Sequence, residues 1–280
     1  MANLYDQLQE QARTRPGKVA IEHCQGGGRA ARMTFGELGA MAAQFAAALG
    51  REERTSAAPG IVPIFMGKSP ACVAAMIGAI GAGRAFACLN RKLRPPQLNA
   101  ILQATGAGTA LTDGAGVMAL GAGLVADSAI ARTQWWVVDD AVLLPAQTKM
   151  VEQMRTAGRV AYWHKVNTNL AMPADDSCEV VHRGKNCGAG WKPAPQPQSC
   201  LSGDGAGCCL FTSGSTGNPK GVLIAEADLR ARADAEVECF GITSDDILLN
   251  VLPFSFDVGL NQLLTAIVAG CSIVLLDSWL

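Results

Sequence analysis

The residues most able to do chemistry form one unbroken run from Phe211 to Gly221, which reads FTSGSTGNPKG. Glycines let backbone N–H groups approach an anion, and serine and threonine hydroxyls add further donors. Lys220 adds a point charge that suits phosphate oxygens. Because the run follows an apolar, strand-like segment, it is predicted to form a polyphosphate-binding loop at a strand end. The predicted phosphate-binding residues are Thr212, Ser213, Gly214, Ser215, Thr216, Gly217 and Lys220.

The phosphate loop of P-loop NTPases is excluded by the context of the lysine. That motif requires Gly-Lys-Ser/Thr, whereas here Pro219 precedes Lys220 and Gly221 follows it. The alternative is that the run is only a flexible turn rich in glycine and serine, with no binding role. The length and composition of the run favour phosphate binding.

A second candidate site is the run from Pro253 to Asn261, at the end of a predicted strand and the start of a predicted helix. Its side chains can face a pocket, and Phe256 and Asp257 are the predicted substrate-binding residues. A buried carboxylate pairs selectively with a cation. The structural alternative is that Asp257 caps the helix that it opens, and the sequence leaves both open.

The elements that must position these residues alternate between helix and strand. A Thr34–Glu37 capping box opens one helix, and Ser69-Pro70 opens another. Further helices are predicted over Pro95–Thr105, Glu226–Phe240 and Asp257–Ala269. Predicted strands are Ile61–Phe65, Phe86–Leu89, Thr109–Thr112, Trp135–Asp139, Gly207–Thr212, Ile247–Leu252 and Ser272–Leu276. This order predicts an α/β fold, a mostly parallel sheet with flanking helices. Residues 145–207 are predicted to be an irregular, insertion-like segment.

The Phe211–Gly221 run resembles the phosphate-binding loop of the ANL superfamily, which comprises acyl-CoA synthetases, adenylation domains of nonribosomal peptide synthetases, and luciferases. The segments Met33–Leu38, Ile80–Asn90 and Leu93–Asp113 resemble further elements of that superfamily in the same order, although Cys88 and Asn90 replace its usual proline and aspartate. The resemblance covers the chain except about 114–205. It implies that residues 1–280 are the N-terminal portion of the AMP-binding large subdomain.

The resemblance implies ATP-dependent activation of a carboxylic or amino acid as an acyl-adenylate, with Mg²⁺ assisting and pyrophosphate leaving. CoA or a carrier-protein thiol would accept the acyl group. In amino-acid-activating members, the aspartate at the position of Asp257 meets the substrate ammonium, whereas many fatty-acid-activating members carry a histidine there. Some acyl-CoA ligases also carry a Ser-Phe-Asp-x-Gly run, so an amino acid substrate is a hypothesis. The superfamily's Tyr-Gly-x-Thr-Glu and Thr-Gly-Asp runs are absent from this sequence, as is its small C-terminal lid domain with the catalytic lysine. The 280-residue chain alone is therefore expected to be inactive, with no catalytic residue of its own; the alternative is a non-catalytic nucleotide-binding or interaction module.

Composition disfavours other classes of function. The net charge of −1 offers no field for nucleic acid or anionic membranes. Residues 1–15 lack the apolar core of a signal peptide, and glycines and Arg84 interrupt the apolar stretch Ala71–Leu89, so a cytoplasmic protein is expected. His23, His164 and His182 lie outside the predicted elements, so none is predicted to be a general base.

The ten cysteines are expected to be reduced thiols. Those predicted to be small buried hydrophobic residues are Cys24, Cys72, Cys88, Cys239 and Cys271. A metal site from Cys178, His182, Cys187 and Cys200 can be drawn, but the spacing lacks the paired ligands of a zinc finger. No metal ligand is predicted.

Overall fold

The computed structural model describes residues 2–24, 30–53, 60–121, 128–138, 154, 160–163, 205–212 and 219–277. Within these ranges the helices are α1 (Leu4–Thr14), α2 (Phe35–Glu53), α3 (Pro70–Gly81), α4 (Pro95–Thr105), α5 (Gly114–Gly121), α6 (Ala129–Arg132), α7 (Glu226–Phe240) and α8 (Asp257–Ala269). The strands are β1 (Val19–Cys24), β2 (Ala31–Thr34), β3 (Val62–Phe65), β4 (Phe86–Cys88), β5 (Thr109–Thr112), β6 (Gln134–Val138), β7 (Val160–Trp163), β8 (Ala206–Thr212), β9 (Lys220–Ala225), β10 (Ile247–Asn250) and β11 (Ser272–Leu276).

The strands form two sheets instead of the single sheet that the sequence predicted. The large sheet has the order β7-β6-β5-β3-β4-β8-β9 and is parallel except for β9, which pairs antiparallel with β8. The small sheet has the order β10-β11-β1-β2, and only β2 runs antiparallel. The predicted α/β class with mostly parallel strands and flanking helices is confirmed.

Part of the segment predicted to be irregular is regular. Residues 160–163 form β7, which continues the large sheet in parallel register from Trp135↔Val160 to Val138↔Trp163. The prediction of irregular structure over 145–207 is therefore wrong at β7. Apart from residues 154, 160–163 and 205–207, that segment lies outside the described residues.

The apolar stretch from Ala71 onward is a core helix. Every residue of α3 from Ala71 to Ile80 is buried, because α3 lies between α2 and the two strands β3 and β4. Its 12 residues compare with the roughly 20 that a bilayer requires. Across the described ranges, no helix combines the length and hydropathy needed to cross a membrane.

Two polar contacts fix helix starts. The Thr34 backbone N–H donates to the Glu37 carboxylate at 2.8 Å, and Glu37 N–H donates to the Thr34 hydroxyl at 3.3 Å, which confirms the predicted capping box. The buried Glu226 carboxylate, at the start of α7, accepts the Leu4 backbone N–H of α1 at 2.7 Å. That contact fastens the first helix to a helix far along the chain.

The small sheet ends at β10, whose side chains alternate between two environments. Leu248 and Asn250 point toward the core, whereas Ile247 and Leu249 are 69% and 53% exposed. Parallel strands in α/β proteins usually have both faces covered. The outward face of β10 is therefore an apolar surface in contact with solvent.

Candidate functional site

The β8–β9 hairpin positions the predicted phosphate loop. Thr212, the last residue of β8, pairs with Lys220, the first residue of β9, and the Thr212 hydroxyl lies 3.5 Å from the Lys220 carbonyl oxygen that accepts its hydrogen bond. Both side chains are exposed. The other predicted phosphate-binding residues lie outside the described residues: Ser213, Gly214, Ser215, Thr216 and Gly217. The structure thus brings together the two flanks of the loop.

The direction of β8 places this loop where α/β sheets bind ligands. β8 runs parallel to β4, so Thr212 lies at the carboxyl edge of the large sheet, the usual ligand edge. Gly221 has a packing reason in the same hairpin, since an added Cβ would lie 2.9 Å from Cys209 Sγ and 3.0 Å from the Phe211 ring. The glycine after Lys220 therefore leaves room for the side chains of Cys209 and Phe211 on the neighbouring strand β8.

Asp257 opens α8, but it is not the N-cap residue. Phe256 occupies the N-cap position without a side-chain hydrogen bond, and Asp257 is the first helical residue. Its Oδ1 accepts the Val258 backbone N–H at 2.8 Å, and its Oδ2 lies 3.8 Å from Arg232 Nη1 on α7. Asp257 is exposed, as is Phe256. The carboxylate is accessible, so both its predicted binding role and a local role at the helix start stay open.

The end of β10 fixes the position of α8. Asn250 is fully buried, and its amide donates to the Gly259 carbonyl at 2.8 Å and to Gln262 Oε1 at 3.3 Å. Gly259 lets the helix approach the preceding turn, because a Cβ there would lie 2.5 Å from the Pro253 carbonyl oxygen. The first turn of α8, and with it Asp257, is thereby held against the end of the small sheet.

Asn261 is a polar residue of this site whose role the sequence did not reveal. It lies one turn after Asp257 on α8, is 4% exposed, and neither atom of its amide has a hydrogen-bond partner within the described structure. Buried polar groups are almost always paired, so such a group needs an explanation. Two sequence signals point to it: it ends the Pro253–Asn261 run, and it lies four residues after Asp257.

A polar cluster joins the carboxyl edges of the two sheets. Lys68, after β3, donates to the carbonyl and amide oxygens of Asn250 at 3.3 and 3.5 Å. Burial lowers the pKa of Lys68, and attraction to Asp277 partly opposes that shift. His23 Nε2 lies 3.0 Å from Asp277 Oδ1. His23 is buried within β1.

The cysteines are mostly core residues. Burial raises the pKa of Cys208 to about 12 and those of Cys209 and Cys271 to about 11. Cys72 and Cys88 are buried as predicted, Cys24 is half-buried, and Cys239 is exposed, which contradicts its prediction. Cys239 lies near the end of α7, beside Phe240, which is also exposed.

Across the described ranges, no group of three or more His, Cys, Asp or Glu residues is arranged to hold a metal ion. The hypothetical metal site of Cys178, His182, Cys187 and Cys200 lies outside those ranges.

Solved structures share this fold. The N-terminal domain of FACL13 from Mycobacterium tuberculosis superimposes with a TM-score of 0.69 at 18% identity, covering 100% of this chain and 58% of that chain. The N-terminal subdomain of NpsA from Klebsiella oxytoca gives a TM-score of 0.59 at 20% identity, covering 98% of this chain and 54% of that one. The fold is that of the N-terminal domains of adenylate-forming enzymes.

The family follows from the sequence match. Residues 8–280 match the model of the AMP-binding enzyme family, and the chain belongs to that family, within the ANL superfamily. It is 34% identical over 97 residues to the D-alanine–D-alanyl carrier protein ligase of Bacillus cereus (strain AH187). Those 97 residues are 35% of this chain and 18% of that protein. The corresponding ligase of Listeria welshimeri is 36% identical over 83 residues, 30% of this chain and 16% of that protein. The matched region is thus less than a fifth of either ligase.

Proposed function

We propose that this chain supplies the pyrophosphate-binding hairpin and part of the acid-binding site of an enzyme that activates a carboxylic acid with ATP. The acid becomes an acyl-adenylate, pyrophosphate leaves, and the thiol of CoA or of a carrier protein then takes the acyl group. The observation that carries the proposal is the pairing of Thr212 with Lys220 at the carboxyl edge of the large sheet. That pairing brackets a run of glycines and hydroxyls in a chain of the AMP-binding family.

The proposed chemistry is an in-line displacement at phosphorus. A carboxylate oxygen of the acid forms a bond to the α-phosphorus of ATP, and the bond from that phosphorus to the bridging oxygen of the β-phosphate breaks. Lys220 and the hydroxyls of Thr212, Ser213, Ser215 and Thr216 would bind the leaving pyrophosphate and stabilise its developing charge. The chain's contribution is thus positioning and charge, not a nucleophile or a base.

Mg²⁺ fits this site as a companion of the phosphates. Mg²⁺ is commonly held by substrate phosphates together with one or two carboxylates or a Ser/Thr hydroxyl, and the Thr212 hydroxyl beside the loop is of the latter kind. Bound there, the ion would neutralise phosphate charge.

An amino acid is the substrate class that we favour. Asp257 presents an accessible carboxylate at the start of α8, and a carboxylate binds an ammonium group through charge-assisted hydrogen bonds. The two ligase relatives are named for D-alanine, which carries such an ammonium group. Loss of activity on an amino acid in Asp257→Ala, within an active assembly, is the expected result; unchanged activity would refute this assignment.

Polyphosphate binding tests the proposal on the 280-residue chain itself. Magnesium tripolyphosphate is titrated calorimetrically into wild type, Lys220→Ala, Gly217→Asp and the control Arg32→Ala, which removes an exposed cation from the small sheet. A charge-assisted contact contributes about 1.5–3 kcal/mol, so Lys220→Ala should weaken binding roughly ten- to a hundredfold. Equal affinities in Lys220→Ala and Arg32→Ala would refute the proposed loop function.

The proposal also predicts what the isolated chain does not do. The sequence lacks the superfamily's runs for adenine and ribose recognition. We expect the purified chain to bind polyphosphate without catalysing ATP–pyrophosphate exchange. Exchange above background that depends on an added carboxylic acid would contradict that expectation.

A further inference from the structure

The helices α7 and α8 face each other through a row of charged and polar groups that the proposed function has not used. On α7, Arg232 and Glu236 lie one turn apart, with Arg232 Nε 4.0 Å from Glu236 Oε1. On α8, Asp257 faces Arg232 at 3.8 Å, and the buried Thr265 hydroxyl donates to Glu236 Oε2 at 2.9 Å. We call the three charged residues, Asp257, Arg232 and Glu236, the charged row.

The charged row has one cation for two carboxylates. Arg232 lies between Asp257 and Glu236, within 4 Å of each, and makes no close contact with either. The row therefore carries a net charge of −1. A second cation would give each carboxylate its own partner, so the row is suited to a ligand with one positive charge.

Glu236 and Asp257 differ in how firmly they are held. Glu236 accepts a hydrogen bond from a buried hydroxyl and is 31% exposed, whereas Asp257 is 57% exposed. The Thr265 contact orients Glu236 toward α8, so Glu236 can keep Arg232 without moving. Asp257 is the carboxylate that an incoming ligand can reach.

The unpartnered amide of Asn261 lies on the same side of α8. Asn261 is four residues after Asp257 and four before Thr265, so all three side chains share one helix face. Its amide is buried and lacks a partner among the described groups. A polar ligand beside Asp257 would lie within one helical turn of that amide.

We infer that Arg232 is a displaceable counter-ion of Asp257, and that it transfers to Glu236 when the ammonium group of an amino acid substrate binds Asp257. The inference rests on the proposed function and adds two specificity-determining residues to it. Acids without an ammonium group would leave Arg232 on Asp257. The charged row would thus favour amino acids over simple carboxylic acids before any chemistry takes place.

The inference predicts a coupling between Arg232 and Glu236. Exposed ion pairs contribute at most about 1 kcal/mol, so Arg232→Gln, which frees Asp257, should tighten amino acid binding by up to about fivefold. Glu236→Gln removes the second position for Arg232 and should weaken binding by a similar factor. In the Arg232→Gln background, Glu236→Gln should have no effect, because there is no guanidinium left to transfer.

The experiment is a double-mutant cycle on the full chain. The standard amino acids in both enantiomers are screened calorimetrically, and the tightest binder is titrated into wild type, both single variants and the double variant. Arg230→Gln and Asp234→Asn are the matched controls, because Arg230 and Asp234 form another pair with the same spacing on α7, at 2.9 Å. Those two substitutions should leave the affinity unchanged.

Each outcome decides the inference. Non-additive effects with the signs given above support it. Additive effects of Arg232→Gln and Glu236→Gln would show simple long-range electrostatics and overturn it, as would no amino acid binding at all. If tripolyphosphate binding still depends on Lys220 in those cases, the proposed function stands and only the counter-ion role fails.

Discussion

Gly259 offers the sharpest test of how the Asp257 site is positioned. A Cβ added at Gly259 would lie 2.5 Å from the Pro253 carbonyl oxygen, 2.9 Å from the Leu252 carbonyl oxygen and 3.1 Å from the Leu252 carbonyl carbon. All three are backbone atoms, so no side chain can rotate to make room. In Gly259→Ala, the start of α8 must therefore move away from the turn at 252–253.

The magnitude follows from two opposing effects. Overpacking costs about 1–3 kcal/mol, and rigid backbone neighbours favour the upper end of that range. Alanine is better than glycine in a helix by about 1 kcal/mol, which offsets part of the cost. We expect Gly259→Ala to lower the free energy of unfolding by about 2 kcal/mol.

The control is Gly50→Ala, because Gly50 lies in α2 and an added Cβ there meets no atom within 4 Å. This variant should have a free energy of unfolding about 1 kcal/mol higher than that of wild type. Urea unfolding followed by circular dichroism compares the two, and with a slope near 3 kcal/mol per molar their midpoints should differ by about 1 M. A Gly259→Ala midpoint at or above that of wild type would refute the close approach of α8 to the turn.

Two further predictions concern the elements around the site. Glu226→Ala should lower the free energy of unfolding by about 1–2 kcal/mol, because the Leu4 N–H at the start of α1 loses its acceptor. The control Asp228→Ala, at an exposed residue of the same helix turn, should change it little, and equal losses in urea unfolding would contradict the role of Glu226 as that acceptor. Stability should also fall as pH rises above 9, because Cys208 and Cys209 stay protonated in the folded state, with pKa values raised to about 12 and 11, while the unfolded thiols ionise near 9.0. Urea midpoints between pH 8 and 10 should fall less steeply in Cys208→Ala, and an unchanged slope would contradict this.

Helix bounds could be predicted where the sequence carries a residue that ends a helix. Three helices, α4, α7 and α8, match their predicted bounds, and glycines with positive φ follow each of them: Gly106, Gly241 and Gly270. Such glycines end helices because they adopt the left-handed conformation without steric cost. The elements β2, α5, α6, β7 and β9 were not predicted. The helices α5 and α6 are too short to show a helical period, and β2 and β9 are edge strands without a fully buried residue.

The division into two sheets could not be predicted from local sequence. β1 pairs with β11, and these strands come from opposite ends of the chain. Local patterns identify strands but not their partners. The same limit applies to the site: the sequence identified Asp257, whereas its contact with Arg232 depends on how α7 packs against α8.

The outward side of β10 has a consequence for handling the protein. Ile247 and Leu249 give it an apolar strip along an edge strand, the type of surface through which copies of a chain associate. Apolar association weakens on cooling, because its driving force near room temperature is entropic. We therefore expect turbidity that grows with concentration and on warming, and that decreases when the solution is returned to the cold.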